Sequence, residues 1–222
     1  MEIRHYQKNI LLELMNLNEY KIQETKSEIN ALVTQKNISL KIDLNSAKTL
    51  EELEKYLSEN FNFNSKLIEG SINSKILFFF GKCNDIDKKI IDGNAGELFD
   101  KMLSSINLDR SNISLASYIP KGLENLDDDE FLNKVQLVNY RLIEIVNPKF
   151  IIIMSNFCIK MLLATDLSSM SLRGKWFDFN TPNDFTPKKC RVLYEPEILI
   201  NNKELKKDTW EDLKEIRKQL GG

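Results

Sequence analysis

Residues 75–103 read KILFFFGKCNDIDKKIIDGNAGELFDKML and decide the fold. The apolar run at 75–80 is continuous, which is typical of a strand buried on both faces of a sheet. Gly81 and Gly93 bound a polar loop, and an amphipathic segment follows. The stretch therefore predicts strand, loop and helix. The loop lies at the carboxyl end of the strand, where open α/β sheets bind their ligands.

The rest of the chain repeats this alternation of strands and helices. Further strands are predicted at 113–118, 150–154 and 191–194, and helices at 7–17, 49–60, 95–106, 131–145, 156–163 and in a C-terminal segment around Trp210. Such alternation predicts an α/β fold, a three-layer α/β/α domain around a mainly parallel four-stranded sheet. Residues 166–189 are predicted to be a long connection.

Composition limits the size and class of the protein. With 222 residues, we expect one domain at 46–222 after an N-terminal helix and linker arm at 1–45. The formal charge of -2 excludes a global basic field, so DNA would have to bind through a local patch.

The start lacks a signal peptide, and no apolar run is long enough to span a membrane. We expect a cytoplasmic monomer without membrane contact, and a protein partner is the alternative to DNA.

Cysteine usage argues against two kinds of stabilising site. Cys83, Cys158 and Cys190 are far apart in sequence and form no C-x-x-C pair. This spacing is unlike a disulfide framework or a closed zinc site, and we expect reduced thiols and no bound metal.

Several segments, in order, carry a resemblance to a known family. They are residues 93–103 (GNAGELFDKML) with 106–110 (INLDR), 147–152 (NPKFII), 172–177 (LRGKWF) and 206–213 (KKDTWEDL). Over residues 49–220, the chain resembles the uracil-DNA glycosylase superfamily, in particular its iron-sulfur branch related to families 4 and 5. The matching family segments read GxAGxLLDxML, IGLDR, RPKVIV, LRGRWF and KREAWEDL. The resemblance implies a uracil-DNA glycosylase-like fold and a relation to base-excision DNA repair.

The chain departs from this pattern where the family's chemistry lies. The carboxylate of the family's GExPG loop is replaced by Lys82, and the base-stacking aromatic by Ile91. The asparagine that reads the uracil edge corresponds to Ser117. The histidine of the HPxxLL motif corresponds to Glu195. The rest of that motif is kept, and the resemblance implies a former pocket formed by Gly81, Lys82, Cys83, Asn84, Ile91, Gly93, Ser117 and Pro196.

The replacements oppose the reaction. A glycosylase flips the base out of the duplex, and cationic character then grows on the sugar while the base leaves as an anion. Lys82 would place positive charge beside the developing cation, and Glu195 negative charge beside the developing anion. Their reversed charges also raise the hypothesis that the two form an ion pair across the pocket. The alternative is that each is a solvated surface charge.

The family's [4Fe-4S] cluster is predicted to be absent. The resemblance implies two cysteines near the start of the domain and two after the second strand, but residues 61–66 and 111–136 contain none.

Other motifs leave two interpretations open. Cys83 is a candidate nucleophile without an evident base, and Asp85, Asp87 and Asp92 are substitute carboxylates or loop residues. Gly93 either begins a helix whose free N–H groups bind an anion or forms only a tight turn.

The candidates for DNA contact are Arg173, Lys175, Leu199 and Ile200. The basic cluster of Arg173, Lys175, Lys188, Lys189 and Arg191 is compatible with phosphate contacts but also with a solvated face. Trp176 and Trp210 are predicted to belong to the core.

Two functions remain after this reading of the sequence. The first is a diverged relative that has lost efficient uracil excision and binds nucleic acid or protein. The second is an active DNA glycosylase with shifted substrate or catalytic residues, in which Asp85 or Glu195 is catalytic.

Overall fold

The computed structural model describes residues 44–61, 63–82, 89–120, 123 and 128–221. A short 3-10 turn at Leu44–Ser46 opens this part of the chain. The strands are β1 (Glu69–Gly70), β2 (Ile76–Lys82), β3 (Ser114–Ile119), β4 (Phe150–Ile153), β5 (Trp176–Phe179) and β6 (Lys188–Val192). The helices are α1 (Leu50–Phe61), α2 (Gly93–Ser104), α3 (Asp129–Val146), α4 (Asn156–Leu162), α5 (Ser169–Leu172), α6 (Pro196–Asn201) and α7 (Leu205–Leu220). The helix predicted at 7–17, and with it nearly all of the predicted arm, lies outside the described residues.

The described strands form one mixed sheet in the order β1-β3-β2-β4-β6-β5. The four inner strands run parallel, whereas β1 and β5 pair antiparallel at the two edges. The predicted α/β class is confirmed. The predicted number of four strands is too low, because β5 lies inside the segment that we interpreted as a connection and β1 is only two residues long.

Side chains of β2 alternate between two apolar layers. Leu77 and Phe79 pack in the layer formed with α1, α3 and α4. Phe78 and Phe80 pack in the other layer, with α2, α6 and α7. Helices therefore cover both faces of the sheet, which is why the strand has no polar side.

The direction of the crossovers explains which helix covers which face. In the sheet, β3 and β4 are the two neighbours of β2. The crossover from β2 to β3 therefore runs in one direction across the sheet, and the crossover from β3 to β4 runs in the opposite direction, past β2. Right-handed crossovers in opposite directions place their helices on opposite faces. Accordingly, α2 and α3 belong to different apolar layers.

The predicted start of α1 is confirmed as a capping box. The backbone N–H of Glu52 donates to Thr49 Oγ1, and the Thr49 N–H donates to Glu52 Oε2, each at 3.2 Å. Asn147 ends α3 in the left-handed conformation immediately before Pro148, so the predicted stop of this helix is also confirmed.

Candidate functional site

A cleft of about 390 Å³ lies at the carboxyl edge of the sheet. Its polar lining comes from Lys82 at the end of β2, from Ser155 after β4, and from Glu195 and Glu197 after β6. The apolar lining is Phe80, Ile90, Ile119 and Phe157. The cleft thus combines a few charged groups with flat and branched apolar walls, a composition typical of small-ligand sites.

The topology of the sheet explains why a cleft forms here. The helix after β2 covers one face of the sheet, and the helix after β4 covers the other. Because β2 and β4 are adjacent, their loops separate and leave a crevice between them. Ligands of open α/β sheets bind at such switch points.

Gly81 brings the two sides of the crevice into close contact. A Cβ atom at this position would lie 2.6 Å from Ser155 Oγ and 3.2 Å from Ser155 Cβ. Any larger residue would therefore push β2 away from the segment after β4. Glycine is needed here for the close approach of the two chains.

Ser155 and Glu195 line the same wall of the cleft. The Ser155 hydroxyl oxygen caps α4 by accepting the Phe157 N–H at 3.2 Å. The hydroxyl also carries a hydrogen of its own, for which the Glu195 carboxylate on the same cleft wall is a possible acceptor. Burial raises the pKa of Glu195. The neighbouring Ser155 hydroxyl lowers this pKa, and the negative charge of Glu197 raises it. Glu195 is therefore a partly desolvated acid at the cleft, which is characteristic of functional carboxyl groups.

Lys82 and Glu195 line the same cleft but are not paired. Lys82 is exposed, and among the ion pairs of the described residues there is none between Lys82 and Glu195. The ion-pair hypothesis is therefore wrong for this structure. Lys82 instead reaches solvent at the cleft.

Two residues of the predicted former pocket point elsewhere. The Ser117 hydroxyl donates to the Ile119 carbonyl at 2.7 Å and lies 3.4 Å from the Gly81 carbonyl, so it is engaged by the backbone at the ends of β3 and β2. Ile91 is 3% exposed and packs in the layer under α2, while its neighbour Ile90 lines the cleft. Neither Ser117 nor Ile91 belongs to the cleft lining, and assigning them to the pocket is corrected accordingly.

Other predicted site residues shape the surroundings. Gly93 opens α2 with a positive φ of 59°, and Pro196 is buried at the first position of α6, directly after Glu195. Cys83, Asn84 and Asp85 lie outside the described residues, as does Asp87, so the structure does not test their predicted roles.

The predicted DNA-contact residues have different surroundings. Arg173 pairs with Asp208 at 2.7 Å and with Asp212 at 3.4 Å, and its guanidinium lies over the Tyr194 ring. Leu199 is 1% exposed and packs in the core, so it is unavailable to a DNA strand and that assignment is wrong. Lys175 and Ile200 reach solvent.

The basic cluster is mostly used within the fold. Arg191 binds Asp212 at 2.5 Å, and Lys188 binds Asn147 and Asp184. Lys189 is exposed and pairs with Asp178 at 2.7 Å. Both Lys188 and Arg191 are buried, so the cluster is neither the solvated face nor the open phosphate-binding patch that the sequence suggested.

Sequence reasoning missed six cleft residues: the apolar Phe80, Ile90, Ile119 and Phe157, and the polar Ser155 and Glu197. A signal for Ser155 was available, because a serine between a buried strand and a predicted helix is a typical N-cap. The strand register then predicts that this serine lies beside the end of β2. Glu197 had no comparable signal, since its role follows from where α6 places it.

The cysteines present do not fit the family's iron-sulfur cluster. Cys158 and Cys190 are buried in the apolar layer under α3, and the Cys158 thiol donates to the Phe80 carbonyl at 3.0 Å. Burial raises the pKa of the Cys158 thiol well above its usual value, and the nearby Glu195 charge adds to this. Both are therefore protonated structural thiols. In the part of the chain that the structure describes, no group of three or more His, Cys, Asp or Glu side chains is placed to hold a metal ion.

Comparison with known proteins adds no family to this picture. No protein-family model matches the chain, and no curated protein matches it. Separately, none of the helices in the described residues is long and apolar enough to cross a membrane.

Proposed function

We propose that this chain is a uracil-DNA glycosylase-like protein that binds nucleic acid through the cleft, by accepting an extruded base, with lost or strongly reduced uracil excision. The observation that carries the proposal is the cleft at the switch point of the sheet. There, Lys82 and Glu195 stand at the two positions where the resembled family has a carboxylate and a histidine.

The contacts among the resembling segments support this proposal. Residues 172–177 and 206–213 are joined because Arg173 binds Asp208 and Asp212. Residues 93–103 and 106–110 are joined as well, since Arg110 donates to the carboxylate of Asp100 at 2.6 Å. The parts of the pattern that this chain keeps therefore have a structural role.

The charges in the cleft explain the proposed loss of excision. A cation at Lys82 disfavours positive charge on the sugar, and an ionised Glu195 disfavours the departing base anion. Two unit charges 4 Å apart interact by about 4 kcal/mol at an effective dielectric of about 20, and each 1.36 kcal/mol or so changes a rate about tenfold. At such distances, the two replacements together lower the excision rate by several orders of magnitude.

One observation favours the second function, an active DNA glycosylase. Burial raises the pKa of Glu195, which increases its protonated fraction. A neutral carboxyl group donates a hydrogen bond and stabilises the leaving base instead of repelling it. Glu195 would then be a general acid, and excision would increase as the pH falls.

The proposal is tested with the purified full chain on oligonucleotides that contain one uracil, both single- and double-stranded. Abasic sites are measured by alkaline strand cleavage, and binding is measured by fluorescence anisotropy across a salt series. We expect binding that weakens with salt and little or no cleavage. Lys82→Ala should weaken binding, whereas Lys101→Ala, an exposed lysine near the far end of α2, should not.

Two other outcomes discriminate between the alternatives. Abasic-site formation that increases at low pH and is abolished by Glu195→Gln supports the active glycosylase, and loss in Asp85→Ala would assign the reaction to the loop after β2. Absence of both binding and cleavage contradicts the proposal and favours a protein partner.

A further inference from the structure

The chemistry of the cleft favours one class of base over uracil. An ionised carboxylate only accepts hydrogen bonds, and it has about four lone-pair positions on its two oxygens. The Ser155 hydroxyl, which lines the same cleft, occupies at most one of them. The remaining positions are left for donors on a ligand, and adjacent donors that bind both oxygens give the strongest and most directional pairing.

Uracil is poorly matched to such an acceptor. Its pairing edge has a single N–H between two carbonyl oxygens, so a carboxylate that accepts from the N–H faces two repelling oxygens. Guanine offers an N–H and an adjacent amino group, which together match the two oxygens of a carboxylate. Hypoxanthine has the same ring as guanine but lacks the amino group.

We infer that the cleft selects an extruded base with two adjacent N–H donors, of the guanine type, through bidentate pairing with Glu195. The apolar side chains of Phe80, Ile119 and Phe157 line the cleft and provide surfaces against which a flat ring packs. This inference rests on the proposed function, because it names the ligand class of the same cleft.

Charge around Glu195 distinguishes this pairing from general attraction. Lys82 and Glu197 are the other charged residues that line the cleft in the described part of the chain. Glu197 is exposed, whereas Glu195 is partly buried. A specific pair therefore depends on Glu195 alone, while a general preference for electropositive edges would depend on both carboxylates.

The inference is tested with fluorescein-labelled single-stranded oligothymidylates that carry one central guanine, hypoxanthine or uracil. Dissociation constants are measured by anisotropy for the wild-type full chain, Glu195→Gln and Glu197→Gln. We expect wild type to bind the guanine probe about tenfold tighter than the hypoxanthine and uracil probes. Glu195→Gln should lose this preference, and Glu197→Gln should keep it. The preference should also decrease from about pH 8 to about pH 5, because protonation of Glu195 removes one acceptor.

The outcomes separate this inference from the proposed function. Equal binding of the guanine and hypoxanthine probes, or a preference that survives Glu195→Gln, overturns the inference and leaves the proposed function standing. Binding of no probe overturns both. Thermal unfolding of each variant shows whether it is folded, and a preference lost equally in a folded Glu197→Gln also overturns the inference.

Discussion

At the scale of single residues, Gly81 and Ser155 approach each other closely in the wall of the cleft. We predict that Gly81→Ala lowers the free energy of unfolding by about 1–3 kcal/mol, because its methyl group would lie 2.6 Å from Ser155 Oγ. Urea denaturation measures this change.

A double-mutant cycle with Ser155→Ala tests the cause of that loss. Removing the hydroxyl should make Gly81→Ala less costly, by at least about 0.5 kcal/mol, since the nearest atom is gone. A Gly81→Ala protein as stable as the wild type would contradict the close approach.

The buried carboxyl of Glu195 predicts a pH-dependent stability. Burial raises the folded-state pKa of Glu195, so ionisation of this carboxyl group destabilises the fold. The stabilising contribution of the protonated carboxyl group is fully present below the unfolded-state pKa. It is lost as the pH rises through the folded-state pKa. Glu195→Gln should therefore increase stability at neutral pH relative to wild type, and the gain should shrink as the pH falls to about 4.

Urea denaturation at several pH values measures this dependence, with Glu197→Gln as the control. Because Glu197 is exposed, its replacement should change the free energy of unfolding by no more than about 0.5 kcal/mol. A gain from Glu195→Gln that is the same at every pH would show that charge is not its cause.

Individual side chains also show where sequence reasoning ends. Leu199 and Ile200 are consecutive and equally apolar, but Leu199 is 1% exposed and Ile200 is 37% exposed. Only the rotation of α6 about its axis decides between them. Trp176 packs against the core as predicted, whereas Trp210 is 43% exposed and its predicted core position is wrong.

At the scale of elements, a buried ion network joins α7 to β6 and to the segment after α5. Asp212 is 1% exposed and binds both Arg191 and Arg173. We predict that Asp212→Asn lowers the free energy of unfolding by about 3–5 kcal/mol, because the buried Arg191 would lose the carboxylate that it binds. Chemical denaturation measures the loss.

Asp208→Asn is the matched control for this network. Asp208 also binds Arg173, but 48% of its side chain is exposed, so solvent replaces the lost pair. Its replacement should cost less than about 1 kcal/mol. Equal losses in the two variants would show that burial does not determine the importance of the pair.

The elements that the sequence predicted share one property: each has an apolar pattern long enough to predict a helix or strand without knowledge of its tertiary contacts. Helix α3 and strand β2 are examples, each with its boundaries within two residues of the prediction. Strand β5 was missed because it is an edge strand of four residues that exists through pairing with β6. The cleft could be expected at the ends of the strands, but its lining depended on the packing of Ser155 and α6.

At the scale of the whole molecule, charge restricts how nucleic acid is bound. The chain carries 31 basic and 33 acidic residues, and several basic side chains near β6 are already paired with acids. Lys82 is exposed at the mouth of the cleft, which leaves it available to a phosphate. Binding should therefore depend on few ionic contacts and vary only moderately with salt.

The salt dependence of binding tests this arrangement. For a single strand, the slope of log K against log salt decreases in magnitude by about 0.7 for each phosphate contact that is removed. We predict this decrease for Lys82→Ala with a single-stranded oligonucleotide, and no change for Lys101→Ala. Anisotropy titrations across a salt series measure both slopes. An unchanged slope in Lys82→Ala would place the phosphate contacts away from the cleft, and nucleic acid would then have to bind another surface of the protein.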